Sequence, residues 1–289
     1  MAAPELRWGE QTYLMGIINV TPDSFSGDGL ATPGRDVEAI VDAAVAQARG
    51  YVDAGADILD VGAESTRPRQ FYGDHPEVDA ETEGALALPV VRALVDAFGD
   101  RALVSIDTSK GIVARAALVA GATIVNDVWA ARRDPSTAEA AADADAHLVL
   151  MHNQERAGYP EGLFEAVVAW LNEAVEAAMR AGVARERLIV DPGIGFGKTP
   201  DDSVELLHRL GELKEALGGL PLLVGTSRKR FIGEILGGLP PSERVEGTAA
   251  SVALAIAGGA DVVRVHDVAH MARTVRVADA IVRWRPASE

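Results

Sequence analysis

Eight short, largely apolar runs, most of them followed by an Ala-rich stretch of helical length, predict an α/β fold: a (β/α)8 barrel, eight parallel strands ringed by helices. Strands buried on both faces read as continuous rather than alternating apolar runs, and these do. The length of 289 residues suits a closed barrel, whose usual size is about 250 residues. A third observation points the same way. Nearly every run is followed at once by a polar residue, and barrels build their chemistry at the C-terminal ends of their strands.

The runs are Tyr13 to Ile18, Asp57 to Val61, Ala102 to Ile106, Ala122 to Val125, His147 to Met151, Arg187 to Val190, Pro221 to Gly225 and Asp261 to Val265. Between them, Val37 to Tyr51, Phe164 to Met179 and Ser203 to Leu217 carry helical periodicity. An open doubly wound sheet is the alternative, but it calls for a Gly-rich turn after the first strand. Ile18 leads instead into Asn-Val-Thr-Pro-Asp. No composition break marks a linker. We therefore expect one barrel domain over residues 12–285, with an N-terminal extension at 1–11 and a tail at 286–289. The irregular segment Glu64 to Glu81, between a strand and a helix, reads as a functional loop.

The charge balance, 27 Lys and Arg against 43 Asp and Glu, gives a net −16. Such a field repels nucleic-acid phosphates and anionic membrane surfaces, so an anionic ligand has to be held by locally placed cations. With no cysteine, disulfides, thiolate nucleophiles and thiolate metal sites are excluded. Met1 to Gln11 lacks the apolar core of a signal peptide, and the expected location is the cytoplasm. Gly247 to Val263 is small and apolar but is broken by Asp261, too short for a membrane span.

The strand ends carry Asn19, then Asp60 and Glu64, Asp107, Asn126 with Asp127, His152, Asp191, Thr226-Ser227-Arg228-Lys229, and His266-Asp267. Asp and Asn at such positions commonly cap the following helix. Asp107, followed by Thr108-Ser109-Lys110, is the one that capping explains most readily. The set as a whole, with carboxylates, amides, a Lys, an Arg and a His converging on one mouth, exceeds what capping requires. Arg264 lies two residues before His266, so strand alternation turns both the same way, and an inward Arg in an apolar barrel needs a partner anion.

Residues 191 to 199, Asp-Pro-Gly-Ile-Gly-Phe-Gly-Lys-Thr, resemble a phosphate loop but fail its spacing, because Pro192 stands where the first glycine belongs. The glycines read instead as backbone thinned around a ligand, with Phe196 as a stacking surface and Asp191 as an acceptor. Ser227-Arg228-Lys229-Arg230 opens the seventh βα loop, where barrels often hold phosphate. His266 and His270 have i, i+4 spacing but no third ligand, which argues against zinc. His75, His147 and His208 read as surface or packing residues.

In order along the chain stand Met15-Gly-Ile-Ile-Asn-Val-Thr-Pro-Asp-Ser-Phe-Ser26, Gly62-Ala-Glu-Ser-Thr-Arg-Pro68, Ser105-Ile-Asp-Thr108, Val125-Asn-Asp-Val128, Val149-Leu-Met-His152, Asp191-Pro-Gly-Ile-Gly-Phe196, Thr226-Ser-Arg-Lys-Arg230 and Arg264-Val-His-Asp267. Together they resemble the dihydropteroate synthase family from about Leu14 to Val282.

The resemblance implies a TIM barrel and a transferase of folate biosynthesis. It would condense 6-hydroxymethyl-7,8-dihydropterin diphosphate with 4-aminobenzoate, losing pyrophosphate before the amine attacks. It also implies pterin binding by Asp107, Asn126, Met151, Asp191, Gly225, Lys229 and Arg264. The diphosphate falls to Asn19, Arg264 and His266, with Mg²⁺ held partly through Asn19. The aminobenzoate pocket falls to Thr66, Arg67, Pro68, Phe196, Lys229 and Arg230. The residues expected to carry catalysis are Lys229, Arg264, His266 and Asp107, and the expected assembly is a homodimer.

Two loops depart from the family pattern. The first reads Ser26-Gly-Asp-Gly29, with Asp28 one place late, and the second has Arg69 in place of a glycine and a longer stretch from Gln70 to Asp79. Two other readings compete: a methyltransferase pterin-binding barrel working with a corrinoid partner, and a relative that binds pterin without turnover.

Overall fold

The computed structural model describes residues 4–21, 29–31, 35–64, 78–155 and 157–285. Within them strand and helix alternate, with two helices in place of one after β6 and after β7. The strands are β1 (Tyr13–Asn19), β2 (Ile58–Gly62), β3 (Leu103–Asp107), β4 (Ile124–Asp127), β5 (His147–Met151), β6 (Leu188–Asp191), β7 (Leu223–Val224) and β8 (Val262–Val265). The helices are α1 (Val37–Ala54), α2 (Ala80–Phe98), α3 (Gly111–Val119), α4 (Ser136–Asp143), α5 (Leu163–Arg180), α6 (Pro200–His208), α7 (Leu210–Ala216), α8 (Arg230–Ile235), α9 (Val245–Ala257) and α10 (Val268–Val282).

All strand pairs are parallel, in the spatial order β6-β5-β4-β3-β2-β1-β8-β7. Closure runs through a parallel bridge between Val190 and Leu222, in which the Val190 N–H donates to the Pro221 carbonyl at 2.9 Å. The seam is thin because Pro221 offers a carbonyl but no N–H and Gly225 follows directly, leaving β7 two residues long.

Alternation along the strands divides the apolar residues between two cores. Tyr13, Met15, Ile58, Leu103, Ile124, Val149, Ile189, Leu223 and Val262 fill the barrel interior. Their neighbours, among them Leu14, Leu59, Val104, Val125, Leu148, Val190 and Val263, face the helices. Leu6 and Trp8 pack beneath the inner cluster, and Trp8 meets the Tyr13 and His147 rings edge-on. The interior is thus packed at its base and turns polar only at the top.

Local signals set the helix starts. The Asp36 and Asp79 side chains accept from the N–H groups of Ala39 and Thr82, each at 2.8 Å, and Thr199 with Asp202 forms a capping box ahead of Pro200. The expected helix from Ser203 to Leu217 is in fact two. Arg209, at φ −100° and ψ 19°, breaks it, so that Leu206 and Leu210 both turn toward the core. No helix among the described residues is long and apolar enough to cross a membrane.

Candidate active site

The two-residue period that places Ile58, Leu103, Ile124, Ile189 and Val262 inside the barrel also turns the next inward positions toward its mouth. Those positions are Asp60, Ser105 and Asp107, Asn126, Asp191 and Arg264, with Met151 at the end of β5 and Gly225 just after β7. Gly225 leaves the floor open. A Cβ there would lie 3.8 Å from Arg264 Cβ and 3.9 Å from Lys229 Nζ.

Arg264 organises the centre. Its Nε donates to Asp60 Oδ2 at 2.7 Å and its Nη2 to Asp107 Oδ2 at 2.7 Å, while Asn126 Nδ2 donates to the same Asp60 oxygen at 3.0 Å. The remaining carboxylate oxygens, Asp60 Oδ1 and Asp107 Oδ1, are buried without a partner among the described residues. Burial pushes the Asp107 carboxyl upward and Arg264 pulls it back. Asp107 is therefore an inward acceptor and not the helix cap its neighbours suggested; Thr108 Oγ1 instead accepts from the Lys110 N–H at 3.2 Å. Asp127 is the strand-end residue with a local role, holding the turn that follows its strand; the next helix starts at Ser136 with no side-chain cap. Asp127 lies on the helix side of β4 and accepts from the N–H groups of Trp129 and Ala131 and from Thr137 Oγ1.

Across the mouth, Asp191 Oδ1 accepts from the Gly193 N–H at 2.7 Å. Burial raises its pKa, opposed by Lys229 and by that N–H. Burial also draws the Lys229 ammonium down to about 8, with Asp191 pulling the other way. Lys229 Nζ donates to the Ile194 carbonyl and sits 4.7 Å from the centre of the Phe196 ring, a cation over an aromatic face.

The turn from Gly193 to Gly197 needs its glycines. Gly193 has φ +68°, and a Cβ there would meet the His152 carbonyl oxygen at 1.9 Å; Gly197 has φ +57° and would meet the Gln154 oxygen at 2.4 Å.

His266 stands at the rim. Its N–H donates to Ser227 Oγ at 3.1 Å, and its Nδ1 lies 3.0 Å from the same oxygen, tying the ends of β7 and β8 together. The preceding loop is clamped. Arg228, in left-handed backbone at φ 58°, pairs with Asp267 through Nε at 2.9 Å and Nη2 at 2.7 Å, and Arg244 donates to its carbonyl at 2.7 Å. Asn19 ends β1, half buried, with its carbonyl accepting from the Leu30 N–H at 2.9 Å. Arg230 begins α8 and pairs with Glu234 at 2.9 Å.

Thr66, Arg67, Pro68, Arg69, Gly27 and Asp28 lie outside the described residues, as does most of the second loop. Its flanking residues are tied: Glu64 accepts from the Val78 N–H at 3.2 Å and pairs with Lys110 at 2.6 Å. Two buried charged residues here are missing from the site assignments that the resemblance implies. Asp60 stood among the strand-end residues, an acidic residue at an inward position inside a strand, and was given no role. Lys198 carried no signal, because a lysine beside glycines reads as solvent-exposed.

A pterin-binding enzyme model matches residues 15–266, and the chain belongs to that family. Within it the chain belongs with the dihydropteroate synthases, transferases of folate biosynthesis. The dihydropteroate synthase of Clostridium beijerinckii is 42% identical over 284 residues, covering 98% of this chain and 99% of that protein. A crystal structure of dihydropteroate synthase from Clostridium difficile, determined with pteroic acid, is 43% identical with a TM-score of 0.86, over 96% of this chain and 98% of that one. The Xanthomonas albilineans dihydropteroate synthase, solved with 4-aminobenzoic acid, is 41% identical with a TM-score of 0.84, over 96% and 95% of the two chains.

Proposed function

We propose that the chain condenses 6-hydroxymethyl-7,8-dihydropterin diphosphate with 4-aminobenzoate to give 7,8-dihydropteroate and pyrophosphate, through loss of pyrophosphate and then attack by the amine. The observation that carries this reading is the polar top of the barrel. Buried Asp107, Asn126 and Asp191 face one another across it, and one Asp107 oxygen awaits a donor. A pterin edge supplies N–H groups to such acceptors, and Lys229 donates to its carbonyl oxygen and ring nitrogen. A ligand lacking those groups would leave the buried carboxylates unpaired, so the same residues set specificity. Met151 and Gly225 form apolar floor beneath the ring.

As the C–O bond breaks, charge grows on the departing diphosphate. Asn19, Arg264 and His266 line that side, where fixed donors in a water-poor site lower the barrier. The Ser227 hydroxyl holds His266 in place for this role. Asp107 and Asp191, as carboxylates, favour the cationic pterin methylene left behind. Its capture by the amine is a matter of placement. Phe196 and Lys229, with Thr66, Arg67, Pro68 and Arg230, form the aminobenzoate side, and no covalent nucleophile is called for.

The donor set fits Mg²⁺. Among the described residues no three His, Asp or Glu side chains are placed to hold a metal ion together, and a single Asn19 amide oxygen suits an ion that keeps water and phosphate oxygens as its other ligands. When bound, the ion would neutralise diphosphate charge. We further propose a cytoplasmic homodimer, a reading supported by exposed Leu254 on α9 and exposed Val277 and Ile281 on neighbouring α10.

The test incubates the purified protein with the dihydropterin diphosphate, 4-aminobenzoate and Mg²⁺, following pyrophosphate and dihydropteroate together. Equal amounts of both are expected, with turnover abolished in Lys229→Ala and Arg264→Ala. Pterin binding with neither product would overturn the synthase reading and favour a binding protein.

A further inference from the structure

Lys198 follows the glycine-rich turn, yet it is 2% exposed. Its Nζ lies 2.8 Å from His152 Nδ1, at the end of β5, and donates to the Phe196 carbonyl at 3.0 Å. When Lys198 is protonated it has donors only, and the imidazole then accepts at Nδ1 and carries its own proton on Nε2. Burial, and then Lys198 beside it, hold His152 well below its ordinary range, which keeps the ring neutral. The ring is wedged between Trp170, 4.9 Å away, and Tyr159, 6.1 Å away.

The turn is sewn to the β5 side along its length. The His152 N–H donates to the Asp191 carbonyl at 2.9 Å, and Tyr159 Oη donates to the Gly197 carbonyl at 2.8 Å. Lys229 takes the Ile194 carbonyl from the other side. Three carbonyls of the turn, those of Ile194, Phe196 and Gly197, are therefore each held by a different side chain. The one on Phe196 is the buried lysine.

We propose that Lys198 is a positioning residue: by pinning the Phe196 carbonyl to the His152 ring, it fixes the Phe196 side chain against Lys229 and so shapes the aminobenzoate half of the site. This rests on the synthase reading for its substrate, though the positioning itself does not. Lys198 faces Asp191 from β6, Lys229 from the β7 loop and Asp202 from α6, and burial lowers it to about 7 with Asp191 opposing. A lysine kept at that cost in a buried place has work to do there.

The experiment compares the wild type with Lys198→Met, which keeps the volume, Lys198→Gln, which keeps an N–H donor, and His152→Asn, which removes the imidazole from the other side. In Lys198→Met the KM for 4-aminobenzoate rises about tenfold while that for the dihydropterin diphosphate stays within about twofold, and Lys198→Gln recovers part of the loss. Adding Phe196→Ala to Lys198→Met adds little, because the ring is already misplaced.

A second readout needs no turnover: 4-fluorophenylalanine placed at position 196 gives one narrow ¹⁹F resonance in the wild type and a shifted or exchange-broadened one in Lys198→Met and His152→Asn. An unchanged resonance in folded variants, or equal KM changes for both substrates, would overturn the assignment. A wild type without turnover would sink the synthase reading, and the ¹⁹F result would still decide the role of Lys198.

Discussion

Arg264 and Asp60 are 204 positions apart in the chain and 2.7 Å apart in the barrel, the Arg264 Nε donating to a carboxylate that is 0% exposed. Removing the cation strands Asp60 and Asp107 as buried, uncompensated charges. Arg264→Met should therefore lose about 3–5 kcal/mol of stability as well as turnover. Urea melts check the cause. Adding Asp60→Asn to Arg264→Met should restore part of the stability but none of the activity, and a double variant no more stable than the single one would refute the charge argument.

Lys229 gives the site an alkaline limit. Its folded pKa of about 8 lies below the unfolded value of about 10.4, so the donor proposed for the pterin is lost as pH rises through 8. The rate kcat/KM for the dihydropterin diphosphate should fall about tenfold per pH unit above that point. Stability moves oppositely. Between pH 8 and 10.4 the unfolded chain binds a proton that the native state lacks, so this residue's contribution rises with pH across that window and is lost as pH falls through 8. Lys229→Arg, charged throughout, should be slower but show no alkaline limb; a limb retained at pH 8 would assign it to another group.

Gly193 tests the glycine turn that follows Asp191. Its φ of +68° and the 1.9 Å approach of a Cβ to a backbone oxygen leave no room for Gly193→Ala, which should cost about 3 kcal/mol and lower Tm by about 6 to 12 °C. At Gly195 an added Cβ meets only the flexible Lys229 side chain, at 3.2 Å. Gly195→Ala should lose about 1–2 kcal/mol, chiefly from its positive φ, and show its main effect in the pterin KM. Equal melting temperatures for the two variants would contradict the steric account.

Chelation separates the two halves of the pterin substrate. EDTA should stop pyrophosphate release and leave calorimetric binding of a pterin lacking the diphosphate unchanged, with excess Mg²⁺ restoring turnover. Asn19→Ala should raise the Mg²⁺ concentration needed for half-maximal rate by about tenfold or more. An unaltered requirement would remove Asn19 from the ion's surroundings.

Much of this was legible in the sequence, because it rests on local periodicity. The alternation that makes Ile58, Leu103, Ile124 and Ile189 core residues also sends Asp60, Asp107, Asn126 and Asp191 to the same face, and the runs placed all eight strands to within a few residues. Shared motifs then supplied the family. What sequence could not determine is which of these side chains meet. Asp107 looked like a cap because its neighbours are Thr, Ser and Lys, whereas barrel closure brings it an arginine 157 positions away. The break at Arg209 depends on which leucines the core can accept, and the burial of Lys198 on a histidine from another strand. Periodicity decides which face a residue occupies. Only the folded barrel decides its partner, because hydrogen bonds and ion pairs act over about 3 Å of space with no regard for distance along the chain.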